Sequence, residues 1–181
     1  MLSLRLAKAD DTESIRELIA ASVRGLSNGF YTPAQIESAL VHIFGPDTAL
    51  INDGTYAIIE SNGVMAAAGG WSRLGTLCGG DQFKSKPESR LDPATDPARI
   101  RAFFVHPDFA RRGLGRMLYA WCEEQAHRAG FKAFELIATL PGEPLYTALG
   151  FQPLERYTLP TPDGVGLPVV RMTRSIAPIE E

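Results

Sequence analysis

The chain has 181 residues, a formal net charge of −3, 45% hydrophobic residues and 22% charged residues. That balance fits one globular domain, here taken as 1–181, and argues against a broad nucleic-acid surface, while a local basic cluster stays compatible with it. Two cysteines, Cys78 and Cys122, make no disulfide framework, and no apolar run approaches the roughly 20 residues of a membrane span, so a cytoplasmic protein without membrane contact is expected.

The opening "MLSLRLAKADD" is not a secretory leader, because apolar and polar residues alternate and acids follow at once. "LSLRLAKADD" reads as a strand. "DDTESIRELIAASVRGL" reads as a helix capped by Asp10 or Asp11, with Ile15, Leu18, Ile19 and Ser22/Val23 on one face. "TPAQIESALVHIF" is a second helix, with Thr32 at the N-cap and Pro33 at its first position. "TYAIIE" and "VMAAAGGW" form a hairpin across "SNG". Residues 72–98, rich in Gly, Pro and Ser, show no periodicity and read as a mobile or substrate-facing loop insertion. "RIRAFFV" is a strand. The helix that follows the next turn carries Leu114, Met117, Leu118, Trp121, Cys122 and Gln125 on one face and ends at Gly130. "AFELIATL" is a nearly all-apolar strand, as expected where both faces are covered. "EPLYTALG" is a short helix, and "FQPLERYTL" and "VGLPVVRMTRS" are strands joined by "PTPDG". No internal repeat is present.

The element order is β α α β β β α β α β β. The unit "RIRAFFV"–helix–"AFELIATL" demands a parallel pair with a right-handed crossover. The remaining strands read as antiparallel, so the expected fold is α/β with a mixed, mostly antiparallel sheet and helices on both faces.

The turn "HPDFARRGLGRMLYAW" places Arg111, Arg112 and Arg116 at a helix start. That is the wrong charge for a helix end with exposed N–H groups, unless an anion belongs there. A P-loop is excluded because no Lys follows the glycines. The dinucleotide fingerprint is half met: Gly113 and Gly115 match, but Leu118 stands at its third glycine position.

"ARRGLGRML" after "AFFVHPDF" resembles the acetyl-CoA signature Q/R-x-x-G-x-G/A of the GNAT superfamily of N-acetyltransferases. "PLYTALGF", with Tyr146, Gly150 and Phe151, resembles its second signature, and the element order matches along nearly the whole chain. Ala110 departs from the pattern by standing where Gln or Arg is usual. The resemblance implies acetyl transfer from acetyl-CoA to a primary amine of a small molecule or peptide, and a strand pair that splays apart. It implies cofactor contacts from the backbone of Phe103, Phe104 and Val105 and from the turn Arg111, Arg112, Gly113, Leu114, Gly115 and Arg116, with Thr139 replacing a frequent Asn. It implies that Tyr146 is the general acid protonating the leaving sulfur. A non-catalytic acyl-CoA-binding or regulatory module on the same fold is the alternative.

No general base is evident. Arg99 stands where some members carry a carboxylate, with Arg101 after it on the same strand face. Both suit a substrate carboxylate or simply pair with acids; the open alternatives are a base elsewhere (Glu37, His42 and Asp81 are candidates), a base acting through water, or a low-pKa amine that needs little help. Phe30, Tyr31 and Trp71 either line the acceptor site or belong to the core. His106 reads as a turn residue, and His42 and His127 have no metal-ligand spacing, so no metal is expected. An exposed sheet edge is compatible with a homodimer.

Overall fold

The computed structural model describes residues 1–176 and 178. Among the described residues seven strands form one sheet: β1 (Leu2–Leu6), β2 (Tyr56–Ser61), β3 (Val64–Ser72), β4 (Ala98–Val105), β5 (Ala133–Thr139), β6 (Gln152–Leu159) and β7 (Leu167–Ser175). Their order is β1-β2-β3-β4-β5-β7-β6, and only β4 and β5 run parallel. Among the described residues the α-helices are α1 (Thr12–Leu26), α2 (Pro33–His42), α3 (Thr48–Asp53), α4 (Leu114–Arg128) and α5 (Glu143–Ala148). This is the mixed α/β architecture expected from the element order.

Helices α1, α2 and α3 pack on one face of the sheet over Tyr56, Ile58, Ala68, Leu167 and Val169. Helix α4 packs on the other, over Ala57, Ile59, Ala66, Phe134, Leu136, Val170 and Met172. The alternation of these residues along each strand is the pleat's two-residue period. In α1 the buried stripe is Ile15, Leu18, Ile19, Ser22 and Val23, as its periodicity required. Thr32 caps α2 by accepting from the Gln35 N–H, with Pro33 at the first position. Asp11 stands at the N-cap of α1 without a side-chain cap; its carboxylate accepts from Arg5 and from the Lys8 N–H instead.

Three local readings change. Helix α3 is a further helix, six residues long and closed by Gly54 at φ +69; it is too short for periodicity to reveal. In α4 the buried face is Leu114, Gly115, Leu118, Tyr119, Cys122 and Ala126, and Met117 is exposed. The helix is rolled because Tyr119 packs edge-on against Phe134 and Phe151. Strand β5 buries Phe134, Leu136 and Ala138 fully, but Glu135, Ile137 and Thr139 only partly. One face of that strand borders a gap.

The gap follows from the register. Strands β4 and β5 pair only at Ala98↔Phe134 and Arg99↔Glu135. Beyond Arg99, β4 continues along β3 and β5 along β7, so the two separate. The insertion runs between Ser72 and Ala98, with one bridge at Leu74↔Arg90.

Candidate active site

After β4, His106 accepts from the Asp108 N–H through Nδ1 at 3.2 Å and starts a single turn over Pro107–Phe109. The chain then reaches Arg111 at φ +64 and Gly113 at φ +80. Two left-handed residues this close make a concavity of N–H groups, the backbone geometry that holds anions. No side chain caps α4, so the N–H groups of its first turn have no intrahelical partner. Arg111, Arg112 and Arg116 are exposed around it, and the Arg112 guanidinium lies 5.4 Å over the Phe109 ring.

The two glycines serve different ends. A Cβ on Gly113 would meet nothing within 4 Å, so that residue is required by its φ and leaves the turn open to solvent. A Cβ on Gly115 would sit 2.6 Å from Cδ2 of Leu145, so that glycine lets α4 approach α5. Leu114 is 3% exposed, which leaves its backbone and not its side chain to the turn.

The β4 edge is bulged. Its register against β3 shifts between Ala68 and Gly70, and Ala102 takes φ +57. The Tyr56 hydroxyl donates to the Ala102 carbonyl at 2.9 Å. Gly69 is required here, since a Cβ would fall 2.3 Å from Cδ1 of Phe103. Phe104 packs edge-on against Phe44 at 5.8 Å, under the α1–α3 face. The Val105 N–H is donated to Oγ of Ser22 at 3.3 Å, so that amide is already engaged.

Tyr146 comes from α5, beyond β5, yet its ring lies 6.2 Å from that of Phe103 on β4. It therefore spans the splay. It is 7% exposed, stacked edge-on against Phe151 at 5.6 Å, and burial pushes its phenol well above the ordinary tyrosine range. Oγ1 of Thr139 accepts from the Gly142 N–H at 3.1 Å and fixes the turn into α5. Beside that turn an open groove of about 640 Å³ is lined by Phe30, Leu140, Glu143, Pro144, Thr147 and Ala148.

The other expected acceptor residues are engaged internally. The Tyr31 hydroxyl donates to the Pro168 carbonyl at 2.6 Å and accepts from the Leu140 N–H at 2.9 Å, a brace inside the core. Trp71 is 2% exposed, against Phe131 and under Arg73. Arg99 donates to the Gly75 and Pro97 carbonyls and approaches Glu135. The Arg101 side chain is 1% exposed and held by Asp47 and Glu88, so it does not wait for a substrate carboxylate. Of the candidate bases, Glu37 pairs with Arg24, His42 lies 3.5 Å from Asp163, and Asp81 accepts from the Thr48 N–H. Among the described residues no cluster of three His, Cys, Asp or Glu is placed to hold a metal, and no helix is long and apolar enough to cross a membrane.

Sequence reasoning missed the bulge support, Tyr56 and Ala102, and the partners of Arg101. The pair Gly69–Gly70 inside an apolar strand was the available signal for the bulge.

Bulged strand, open anion turn and a tyrosine across the splay form one constellation. The sequence model of the Acetyltransferase (GNAT) family matches residues 21–151, the span that holds all three, and the chain belongs to that family. Solved structures of similar fold include a GCN5-related N-acetyltransferase from Rhodopseudomonas palustris, with 20% identity, a TM-score of 0.70 and coverage of 96% of this chain and 94% of that one. The PaiA N-acetyltransferase from Thermoplasma acidophilum, solved with coenzyme A, has 12% identity and a TM-score of 0.62, over 97% and 99% of the two chains. The yncA protein from Salmonella typhimurium, solved with its cofactor acetyl-CoA, has 17% identity and a TM-score of 0.61, over 99% and 96%. No curated protein matches the sequence.

Proposed function

We propose that the protein transfers an acetyl group from acetyl-CoA to a primary amine by direct attack, with Tyr146 as general acid. The observation that carries this reading is Tyr146 facing Phe103 across the splayed β4–β5 pair. The turn fits an acyl-CoA: Gly113 leaves open space in front of uncapped N–H groups, and three exposed arginines offset the charge of a pyrophosphate. Ala110 supplies no side-chain donor, and the arginines stand in for it.

In this reading the bulged backbone at Phe103 and Phe104 orients the acyl carbonyl and polarises it as charge develops on its oxygen. The attacking amine must be uncharged; α-amino groups, with an ordinary pKa near 8, meet that condition without a strong base. Tyr146 holds its proton throughout the physiological range, because burial disfavours the phenolate. It gives that proton to the departing sulfur as the C–S bond breaks, and the proton lost by the nitrogen restores the phenol. The balance is amine plus thioester to amide plus thiol.

The experiment is thiol release from acetyl-CoA with a panel of amines, wild type against Tyr146→Phe. An acid role predicts a fall in kcat on the order of 10²-fold with acetyl-CoA affinity retained. Binding without turnover by any amine would point to the sensing module instead.

A further inference from the structure

Among the described residues the sheet ends in two edge strands, β1 and β6. Edge strands are blunted against stray pairing by proline, bulges and charge. Strand β6 carries all three: Pro153, a register shift between Pro153 and Glu155, and the exposed side chains of Glu155 and Arg156. Strand β1 carries none of them on its open side. It has no proline, and its register against β2 is unbroken from Leu2↔Ser61 to Leu6↔Ala57. Its one charged side chain, Arg5, lies on the face of Ile58 and is held there by Asp11 and Glu60.

Which backbone groups of β1 are free follows from the ladder. The Asn62 N–H donates to the Met1 carbonyl at 3.1 Å, and the Ala7 N–H donates to the Tyr56 carbonyl at 2.9 Å. Both pairs continue the β1–β2 register, so Met1, Ser3, Arg5 and Ala7 are the residues that bond inward. Leu2, Leu4 and Leu6 therefore turn their N–H and C=O groups to the open edge. The Leu6 carbonyl takes the Arg5 guanidinium at 3.2 Å on one lone pair and keeps the other. The three side chains share the α4 face: they stand opposite Ser61, Ile59 and Ala57, and the last two pack with Leu114 and Leu118. Leu4 is partly buried against that cluster, while Leu2 and Leu6 are each 48% exposed.

A second copy fits this edge by symmetry. A two-fold axis normal to the sheet sets two antiparallel strands so that each residue faces one of its own parity and side. With the axis at Leu4, Leu4 faces its own copy and Leu2 faces Leu6, and every outward N–H and C=O of the three leucines finds a partner. Arg5 then faces Ser3, so no like charges oppose each other. An axis at Arg5 would set two arginines face to face and bring in Lys8, whose N–H is already given to Asp11 at 2.8 Å. An axis at Ser3 would leave Leu6 unpaired. The joint is a strand of 5 residues a side. A standard interface has about 20–30, so the pairing is reversible.

We propose that β1 pairs antiparallel with β1 of a second copy of this chain, about a two-fold axis at Leu4, joining two sheets into one and laying their leucines side by side. This goes beyond the acetyl-transfer reading and stands without it. Sedimentation velocity of the untagged full chain should show the mass rise from monomer toward dimer between about 1 μM and 1 mM. Over the same range amide exchange at Leu4 and Leu6 should slow by about fivefold or more, and by more than at Ser3 and Arg5, which already bond inward. Leu2→Lys with Leu6→Lys sets like charges opposite each other at both ends of the joint and should weaken dimerisation about tenfold or more. Leu2→Glu with Leu6→Lys sets opposite charges there and should dimerise about tenfold more tightly than the double lysine variant. A wild type that stays monomeric, a dimer indifferent to the two lysines, or equal weakening by both double variants would each overturn the proposal. Should a double variant not fold, the wild-type exchange decides: rates at Leu4 and Leu6 that do not change with protein concentration overturn it.

Discussion

The Tyr56 hydroxyl holds the Ala102 carbonyl at 2.9 Å, and Ala102 is the β4 residue with a left-handed backbone. A non-glycine residue at positive φ is strained, and it persists only where its surroundings fix it. Tyr56 is 2% exposed, so Tyr56→Phe leaves a carbonyl without its donor in the interior. The expected loss of stability is about 1–3 kcal/mol by urea denaturation. With the bulge free to relax, kcat for acetyl transfer should fall more than acetyl-CoA affinity. Lost stability with unchanged kcat would separate the bulge from catalysis.

Gly113 and Gly54 make a matched pair. Both have positive φ, +80 and +69, and neither has an atom within 4 Å of where a Cβ would stand. Alanine at either position should cost a similar backbone strain of about 1 kcal/mol. Gly113→Ala alone should weaken acetyl-CoA binding, because its methyl group projects into the open turn. Equal calorimetric affinities in the two variants would remove the turn from the binding site.

The buried acids set an alkaline limit. Burial pushes the Tyr31 phenol up to about 12 and the Cys78 thiol up to about 11, and it raises Tyr56, Tyr146 and Cys122 in the same direction. In each the folded chain holds its proton more tightly than the unfolded chain. The stability these groups contribute is whole below the unfolded pKa values, and it is lost as pH rises through and above them. Urea midpoints should therefore hold near neutrality and decline from about pH 8.5 for the thiols and about pH 10 for the phenols. A flat profile to about pH 11 would contradict the burial of these groups.

Gly115→Ala tests the α4–α5 contact. The added methyl would press on Leu145, the neighbour of Tyr146. Overpacking of this kind costs about 1–3 kcal/mol, and here it should also shift Tyr146 and lower kcat. Calorimetry should show acetyl-CoA binding weakened less than by Gly113→Ala.

The fold was legible wherever one periodicity ruled a segment. The α1 stripe, the Thr32 cap and the parallel pair around α4 all follow from local residue order. The Arg-Gly turn was legible too, because left-handed backbone and an uncapped helix start leave a mark in glycine spacing. What escaped depends on residues distant in sequence. Arg101 looks like an exposed strand arginine until Asp47 and Glu88 are brought to it from two other segments. Trp71 and Tyr31 look like candidate wall residues until the core closes over them. The roll of α4 toward Tyr119 was set by Phe134 and Phe151, which no helical period contains.

Only two residue pairs join β4 to β5, so past Arg99 the facing edges carry backbone groups that no neighbouring strand satisfies. A ligand with amides along its length can enter that edge as an added strand does. Seen thermodynamically, the sheet is two half-sheets, and occupancy of the gap by the ligand of the proposed function and the cohesion of those halves would be linked quantities. A ligand that bridges the gap stabilises the whole by mass action, so under the proposed function the melting temperature would rise with the free acyl-CoA concentration.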